Sequence, residues 1–349
     1  MISLCRHRYN RRVKENQKNS FAVPKAIVDQ VTTWIGVDRG QLVWETLRVE
    51  ASHRRFYRVT GLEQSAIVML SPPELEANDQ FIALSQVFAQ AGVPVPHITH
   101  VDREQGLMLM SDLGTTHLQD TYGTPKQDAA LSAAIEGLFV LGPIQNACIP
   151  EYTAERLSME VGIYSEWLRM GLLGETESTE HDLRLTQVLI DVMLAQPQAC
   201  VHRDYHCRNL LFEHNQLGIV DYQDALHGPA SYDLATLFTD CYHTFEDAVI
   251  DHWLQTFLNR VPENHPLAGT AYAELRRWVH FTGMQRQIKA VGIFARLHLR
   301  DQKSSHLKYI DDNLARVAQR AYEYPELAAL AEQISQDHTR YLEWQASNR

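Results

Sequence analysis

The sequence predicts an α+β protein in two lobes: a small antiparallel sheet with one helix, then a larger, mainly helical lobe carrying one β-hairpin. Between Val43 and Leu70, short runs of β-branched and aromatic residues alternate with turn residues, as in a strand meander. Phe81, Leu84, Val87 and Phe88 then recur at helical spacing, and Gly92 stops the run. Beyond Asp112 the pattern is helical, apart from a strand–turn–strand near residues 210–220.

Taken in order, residues 1–25 read as a basic, disordered tail. Arg6, Arg8, Arg11, Arg12, Lys14, Lys18 and Lys25 face only Glu15, and no apolar run follows to make a secretory signal. The first lobe spans 26–112. Its strands are expected over 43–49, 56–59 and 66–70; Ser71-Pro72-Pro73 breaks the pattern, and a helix runs over 74–91. Strands at 98–101 and 107–110 close this lobe, joined by Asp102–Gly106. The boundary falls near Asp112–Gly114, and 113–349 forms the second lobe, which carries the catalytic residues. The longest apolar stretch, Ala129–Ile149, is interrupted by Glu136, Pro143 and Gln145, so it reads as a buried helix and not a membrane span.

A chain of 349 residues can bury a core in each lobe. Its net charge of −11 argues against a nucleic-acid partner. The 5 cysteines are scattered and odd in number, which suggests a reducing, cytoplasmic compartment and not a disulfide framework. Nothing points to an obligate protein partner.

The chemistry is carried by Val201-His202-Arg203-Asp204-Tyr205-His206-Cys207-Arg208-Asn209 and by Gly218-Ile219-Val220-Asp221. Kinase-type phosphoryl transfer needs a carboxylate to orient and deprotonate a hydroxyl, and oxygen ligands to hold Mg2+ on the phosphates. Asp204 suits the first task; Asn209 and Asp221 suit the second. Leu210–Phe212 and Leu217–Val220 read as strands around a turn. Opposed residues of an antiparallel hairpin have position numbers of constant sum, so an apex at Asn215 sets Asn209 opposite Asp221. A rival reading takes His202, Asp204, His206 and Cys207 as ligands of a zinc hydrolase. It leaves Asn209 and Asp221 unemployed and lacks a further His or Cys cluster; His202 is better explained as packing behind the loop.

On the nucleotide side, ATP is expected between the lobes, with Met110-Ser111-Asp112-Leu113 as the connecting segment. Phosphate-covering loops are usually glycine-rich because backbone N–H groups must come close. Here the turn Glu50–Arg58 has no glycine; small Ala51 and Ser52 allow approach, and Arg54, Arg55 or Arg58 adds charge. Met69 stands where a strand lysine is usual. These departures motivate a second alternative, a nucleotide-binding module without turnover. The intact Asp204/Asn209/Asp221 set opposes it.

His202-x-Asp204-x4-Asn209, Ile219-Val220-Asp221 and Pro229-x3-Asp233-Leu234-Ala235 resemble the aminoglycoside-phosphotransferase-like (choline-kinase-like) superfamily, which has a two-lobed, protein-kinase-like fold. Ser52–Arg58, Val68–Pro73, Leu109–Gly114, Asp221–Ala225, Met284–Lys289 and Gly292–Leu297 are most similar to the bacterial anomeric N-acetylmuramate/N-acetylglucosamine kinases of peptidoglycan recycling. The resemblance implies ATP- and Mg2+-dependent phosphorylation of the C1 hydroxyl of an amino sugar. It implies Asp204 as base, Asn209 and Asp221 as metal ligands, and Asp233 as an anchor of the catalytic loop. Tyr205, His206, Arg208, Gln223 and Asp224 flank these positions and are candidates for contacting sugar or phosphate. Arg286, Lys289 and Arg296 recur at helical spacing, a basic stripe suited to a sugar carboxylate. The alternative within the superfamily is an aminoglycoside, choline-like or other small hydroxylated acceptor.

Overall fold

A computed structural model of the chain describes residues 23–47, 53–176 and 179–348. The basic tail before residue 23, and Ala51 and Ser52, lie outside them. The described residues group into two compact units. One holds the residues up to Ala89 together with Val95–Gly114, and the other holds Gln90–Pro94 and the residues from Thr115 onward.

In the first unit, β1 (Val43–Leu47), β2 (Arg55–Thr60), β3 (Ala66–Leu70), β4 (Ile98–Asp102) and β5 (Leu107–Ser111) form one antiparallel sheet in the order β1-β2-β3-β5-β4. The register Tyr57↔Val68↔Leu109 puts Tyr57, Val68 and Leu109 on one face, together with Val59 and Leu107. Helix α1 (Lys25–Ile35) packs Ile27 and Val31 into that cluster. Each such aliphatic side chain stabilises the unit by about 1.5–3 kcal/mol relative to exposure. The sequence pattern pointed to one helix here; the second, α2 (Asn78–Ala91), is the expected one but begins four residues late. The Pro72 carbonyl accepts from the N–H groups of Leu75 and Glu76, closing a turn. The Asn78 side chain then donates to the Ser71 carbonyl at 2.8 Å, so the helix can start only beyond that clasp.

The second unit is mainly helical. Its helices include α3 (Gln127–Leu141), α4 (Ala154–Ile163), α5 (Thr179–Leu194), α6 (Tyr232–Phe238), α7 (Asp247–Arg260), α8 (Tyr272–Leu299), α9 (Ile310–Ala321) and α10 (Ala328–Ser347). The apolar run expected as one helix over 129–149 ends at Leu141, where Gly142-Pro143 stops it. Helix α8 is buried along most of its length, and α4, α5, α6, α7 and α9 pack on it. At Gly292 it meets the junction of α4 with a π-helical turn, Tyr164–Leu172. An added Cβ there would come within 2.6 Å of the Tyr164 backbone nitrogen, so only glycine fits. Among the described residues no helix is long and apolar enough to cross a membrane.

Two small sheets frame the site. β7 (Leu210–Glu213) and β8 (Gln216–Ile219) form the expected hairpin. Its two-residue turn, His214-Asn215, has φ of 52° and 60°, as a type I′ turn demands. The other pairs β6 (Gln198–Val201) with β9 (Leu226–Pro229). The β9 sequence Leu-His-Gly-Pro carries no strand signal, and pairing with β6 imposes its extended form.

Candidate active site

The loop from His202 to Asn209 leaves β6 and enters β7. Its shape is set by buried polar groups. Asp233, at the start of α6, accepts the backbone N–H of His202 at 2.6 Å and that of Arg203 at 3.0 Å. Burial pushes the Asp233 carboxyl up to about 7, against those two hydrogen bonds. Arg203 has φ of 75°, a left-handed backbone that costs a non-glycine residue about 1–3 kcal/mol. The reversal turns Asp204 outward, with 44% of its side chain exposed.

His202 is fully buried behind this turn. Its Nδ1 accepts the Asp204 N–H at 3.2 Å, so Nε2 carries the proton and donates to the Val220 carbonyl at 3.0 Å. Burial lowers its pKa, and the neutral ring pins the catalytic loop to the hairpin. Both nitrogens are therefore used. Burial, with the nearby Asp240 charge, pushes the Cys207 thiol up to about 12, far from the thiolate that zinc prefers. Among the described residues no group of three His, Cys, Asp or Glu side chains could hold a metal ion. With both ring nitrogens of His202 engaged, the zinc-hydrolase reading loses the first of its proposed ligands.

Asp204 faces cations. Arg286 Nη2 on α8 lies 4.0 Å from its carboxylate. Burial alone would raise its pKa, but Arg286, His206, Lys289 and Arg203 outweigh that and hold it at about 2. It is a carboxylate throughout the physiological range.

The hairpin register corrects one expectation. Leu210 pairs with Ile219, so the apex lies between His214 and Asn215, and the position facing Asn209 is Val220, whose N–H donates to the Asn209 carbonyl at 3.0 Å. The Asn209 and Asp221 side chains still meet, because Asp221 has φ of 66° and swings back across the strand end. Asn209 Nδ2 donates to the Asp204 carbonyl at 3.0 Å and to Asp221 Oδ2 at 3.3 Å. Spending the amide nitrogen on these groups turns the Asn209 oxygen away from them. The Asn209 amide oxygen and the exposed Asp221 carboxylate are hard donors of the kind that suit Mg2+ when phosphate and water complete its shell.

The flanking candidates divide. Tyr205 is corrected: it is fully buried, its hydroxyl donates to the Ala134 carbonyl at 2.7 Å, and it belongs to the core. Half-buried His206 packs edge-on to Tyr242, and the Arg208 guanidinium lies 3.7 Å over the same ring while donating to the Tyr309 hydroxyl at 3.0 Å. Gln223 Nε2 donates to Asp221 Oδ1 at 2.8 Å, which orients that carboxylate. The Asp224 side chain is exposed and its carbonyl accepts from Arg203 at 3.3 Å. Arg286 and Lys289 do not form an open basic stripe. Arg286 is held by Asp240 at 3.7 Å and by the Arg203 carbonyl, and Lys289 pairs with Glu160 at 3.0 Å.

In the first unit, Met69 and Met110 share the sheet face opposite the α1 cluster, and both are buried. Arg54 is also buried, bonded to Ser71 and paired with Glu76 at 3.4 Å, whereas Arg55 is exposed. Arg58 grips Asp112 with two hydrogen bonds, of 2.6 and 3.0 Å, and Ser65 and the Gly114 N–H complete the clasp. Burial works to raise the Asp112 pKa, but those bonds lower it overall. The Asp112 carboxylate thus braces the end of β5.

Sequence reasoning missed Glu160. This buried carboxylate on α4 binds Arg203 at 2.6 Å and Lys289, and it accepts from the Tyr152 hydroxyl. The signal was a charge set between Leu157 and Val161 on the apolar face of α4.

The profile of the phosphotransferase enzyme family matches residues 43–278. The chain is 33% identical over 291 residues to an N-acetylmuramate/N-acetylglucosamine kinase of Pseudomonas putida, covering 82% of this chain and 86% of that protein. It is 32% identical over 296 residues to the protein of the same name from Neisseria meningitidis, covering 80% and 86%. Among solved structures, a choline/ethanolamine kinase family protein from Mesorhizobium loti superposes with a TM-score of 0.61 at 15% identity, covering 88% of this chain and 99% of that one. An ADP-bound aminoglycoside phosphotransferase superposes with a TM-score of 0.58 at 12% identity, covering 83% and 97%. The chain belongs to the phosphotransferase enzyme family, with the α+β kinase-like fold of that family, and is an ATP-dependent kinase.

Proposed function

We propose that this kinase transfers the γ-phosphoryl group of ATP to the C1 hydroxyl of N-acetylmuramate or N-acetylglucosamine, in the cytoplasm, as a step of peptidoglycan recycling. The observation that carries the reading is the half-exposed Asp204 carboxylate on a loop whose Asn209 amide bridges the Asp204 carbonyl and the Asp221 carboxylate. The names of the curated relatives supply the sugar.

Asp204 has the position to accept a hydrogen bond from the acceptor hydroxyl and hold it in line with the phosphoryl group. A carboxylate of pKa about 2 is a weak base, so its main work is orientation, with the proton taken late. A hemiacetal C1 hydroxyl is more acidic than other sugar hydroxyls, and is therefore the acceptor such a base serves best. Asn209 and Asp221 would hold Mg2+, which neutralises charge on the phosphates. Gln223 orients Asp221, and His206 and Arg208 remain candidates for contacting the sugar. The product, a sugar 1-phosphate, can feed nucleotide-sugar synthesis without a mutase.

The test is phosphorus NMR of reactions containing ATP, Mg2+ and each amino sugar. A glycosyl phosphate resonance coupled to the anomeric proton is expected. Phosphate on another oxygen, or turnover only with choline or an aminoglycoside, would reject the C1 reading.

A further inference from the structure

The catalytic loop carries a strained residue whose side chain leads away from the reaction. Arg203 holds φ of 75°, and nothing about its own chemistry favours that conformation. Its backbone is gripped on both sides, by Asp233 at the N–H and by Arg286 at the carbonyl. Its guanidinium runs inward, only 7% of the residue is exposed, and it ends on Glu160 at 2.6 Å. The same guanidinium donates to the Asp224 carbonyl, three residues beyond Asp221. One side chain therefore ties the loop before Asp204 to the loop after Asp221.

Glu160 is itself 4% exposed and sits among Arg203, Lys289, Arg156 at 3.9 Å and the Tyr152 hydroxyl. Burying such a cluster is a weak source of net stability, because desolvation offsets most of the attraction. It does impose a direction: a guanidinium with a buried carboxylate partner has one low-energy place to be.

We propose that Glu160 is a positioning residue for phosphoryl transfer. By fixing the Arg203 guanidinium it holds the left-handed turn that aims Asp204 and sets the spacing between Asp204 and Asp221. The inference rests on the kinase reading of Asp204 and Asp221 but not on the identity of the sugar. Lys289 belongs to this clamp and not to the acceptor.

The test compares Glu160→Gln, Arg203→Ala, Arg203→Gly and the double variant Glu160→Gln/Arg203→Ala, each first checked for folding by circular dichroism and melting. Glu160→Gln keeps shape and loses charge; kcat is expected to fall roughly 10–10²-fold, with KM for sugar and ATP changed far less. Because the two residues act as a unit, the double variant is expected to be no slower than the worse single one. Glycine adopts φ of 75° without strain, so Arg203→Gly is expected to retain more kcat than Arg203→Ala. Additive losses, an Arg203→Gly variant slower than Arg203→Ala, or a Glu160→Gln variant with lower melting temperature but native kcat would each overturn the proposal. If the wild type phosphorylates none of the amino sugars, the same series is read on its Mg-ATP hydrolysis, so the sugar assignment can fail while the positioning role is still decided.

Discussion

Asn209 donates its amide hydrogen to the Asp221 carboxylate at 3.3 Å although the two residues are not cross-strand partners. The ladder would put Val220 there. The left-handed backbone at Asp221 makes up the missing residue and returns its carboxylate to the hairpin mouth. Arg203, at the other side of the site, is strained in the same way. Both reversals sit beside residues assigned to chemistry, where rigid surroundings can hold a conformation that the local sequence disfavours.

Asp204→Asn is expected to lower kcat by roughly 10²–10⁴-fold, the usual contribution of a positioned general base. The amide keeps the shape but loses the charge that orients the hydroxyl. Since the side chain is 44% exposed, the variant should melt close to the wild type. Coupled-assay turnover within threefold of wild type, about 0.7 kcal/mol by transition-state arithmetic, would remove Asp204 from the mechanism.

Asp221→Ala is expected to abolish Mg2+-dependent strengthening of ATP binding. Asn209 keeps its hydrogen bond to the Asp204 carbonyl, so the loss reports the Asp221 carboxylate itself. Calorimetry with and without Mg2+ measures this directly. An unchanged Mg-ATP affinity would assign the metal to other residues.

Much of this was legible in the sequence because the signals are local. The meander, a turn within Glu213–Gln216 and the spacing from Asp204 to Asn209 are each written in one short stretch of chain. What stayed hidden depends on distant partners. β9 is extended only because β6 pairs with it, and Lys289 is an internal ion-pair partner only because Glu160 lies more than a hundred residues upstream. Tyr205 looked like a wall of the site by its place in the motif. Chain direction in the loop, set by the reversal at Arg203, turns it inward instead.

Tyr205→Phe separates those two readings. It removes one buried hydrogen bond, to the Ala134 carbonyl, which lies mid-helix and keeps its intrahelical partner. A loss of about 0.5–1.5 kcal/mol in stability by urea titration is expected. The KM for the sugar should not move. A several-fold rise in that KM at full folding would return Tyr205 to the acceptor site.

Acid should destabilise the fold through two buried histidines, whose joint contribution exceeds the opposite one of Asp233, a carboxyl held up near 7. His265 packs against Phe257 and accepts the Leu267 N–H at Nδ1. Burial holds its pKa at about 4, below the ordinary value of 6.5. Burial, then the neighbouring Arg320 and Arg276, hold His280 lower still, at about 3. Between the folded and unfolded values the unfolded chain binds more protons, so stability rises with pH across that window. The contribution is complete above about 6.5 and is lost as pH falls through the folded values. Urea midpoints should therefore drop steadily from pH 7 to pH 4. His265→Phe, which keeps a ring against Phe257 but cannot titrate, should be less stable at pH 7 and show a shallower decline. A decline as steep as that of the wild type would mean that His265 is not one of the groups responsible.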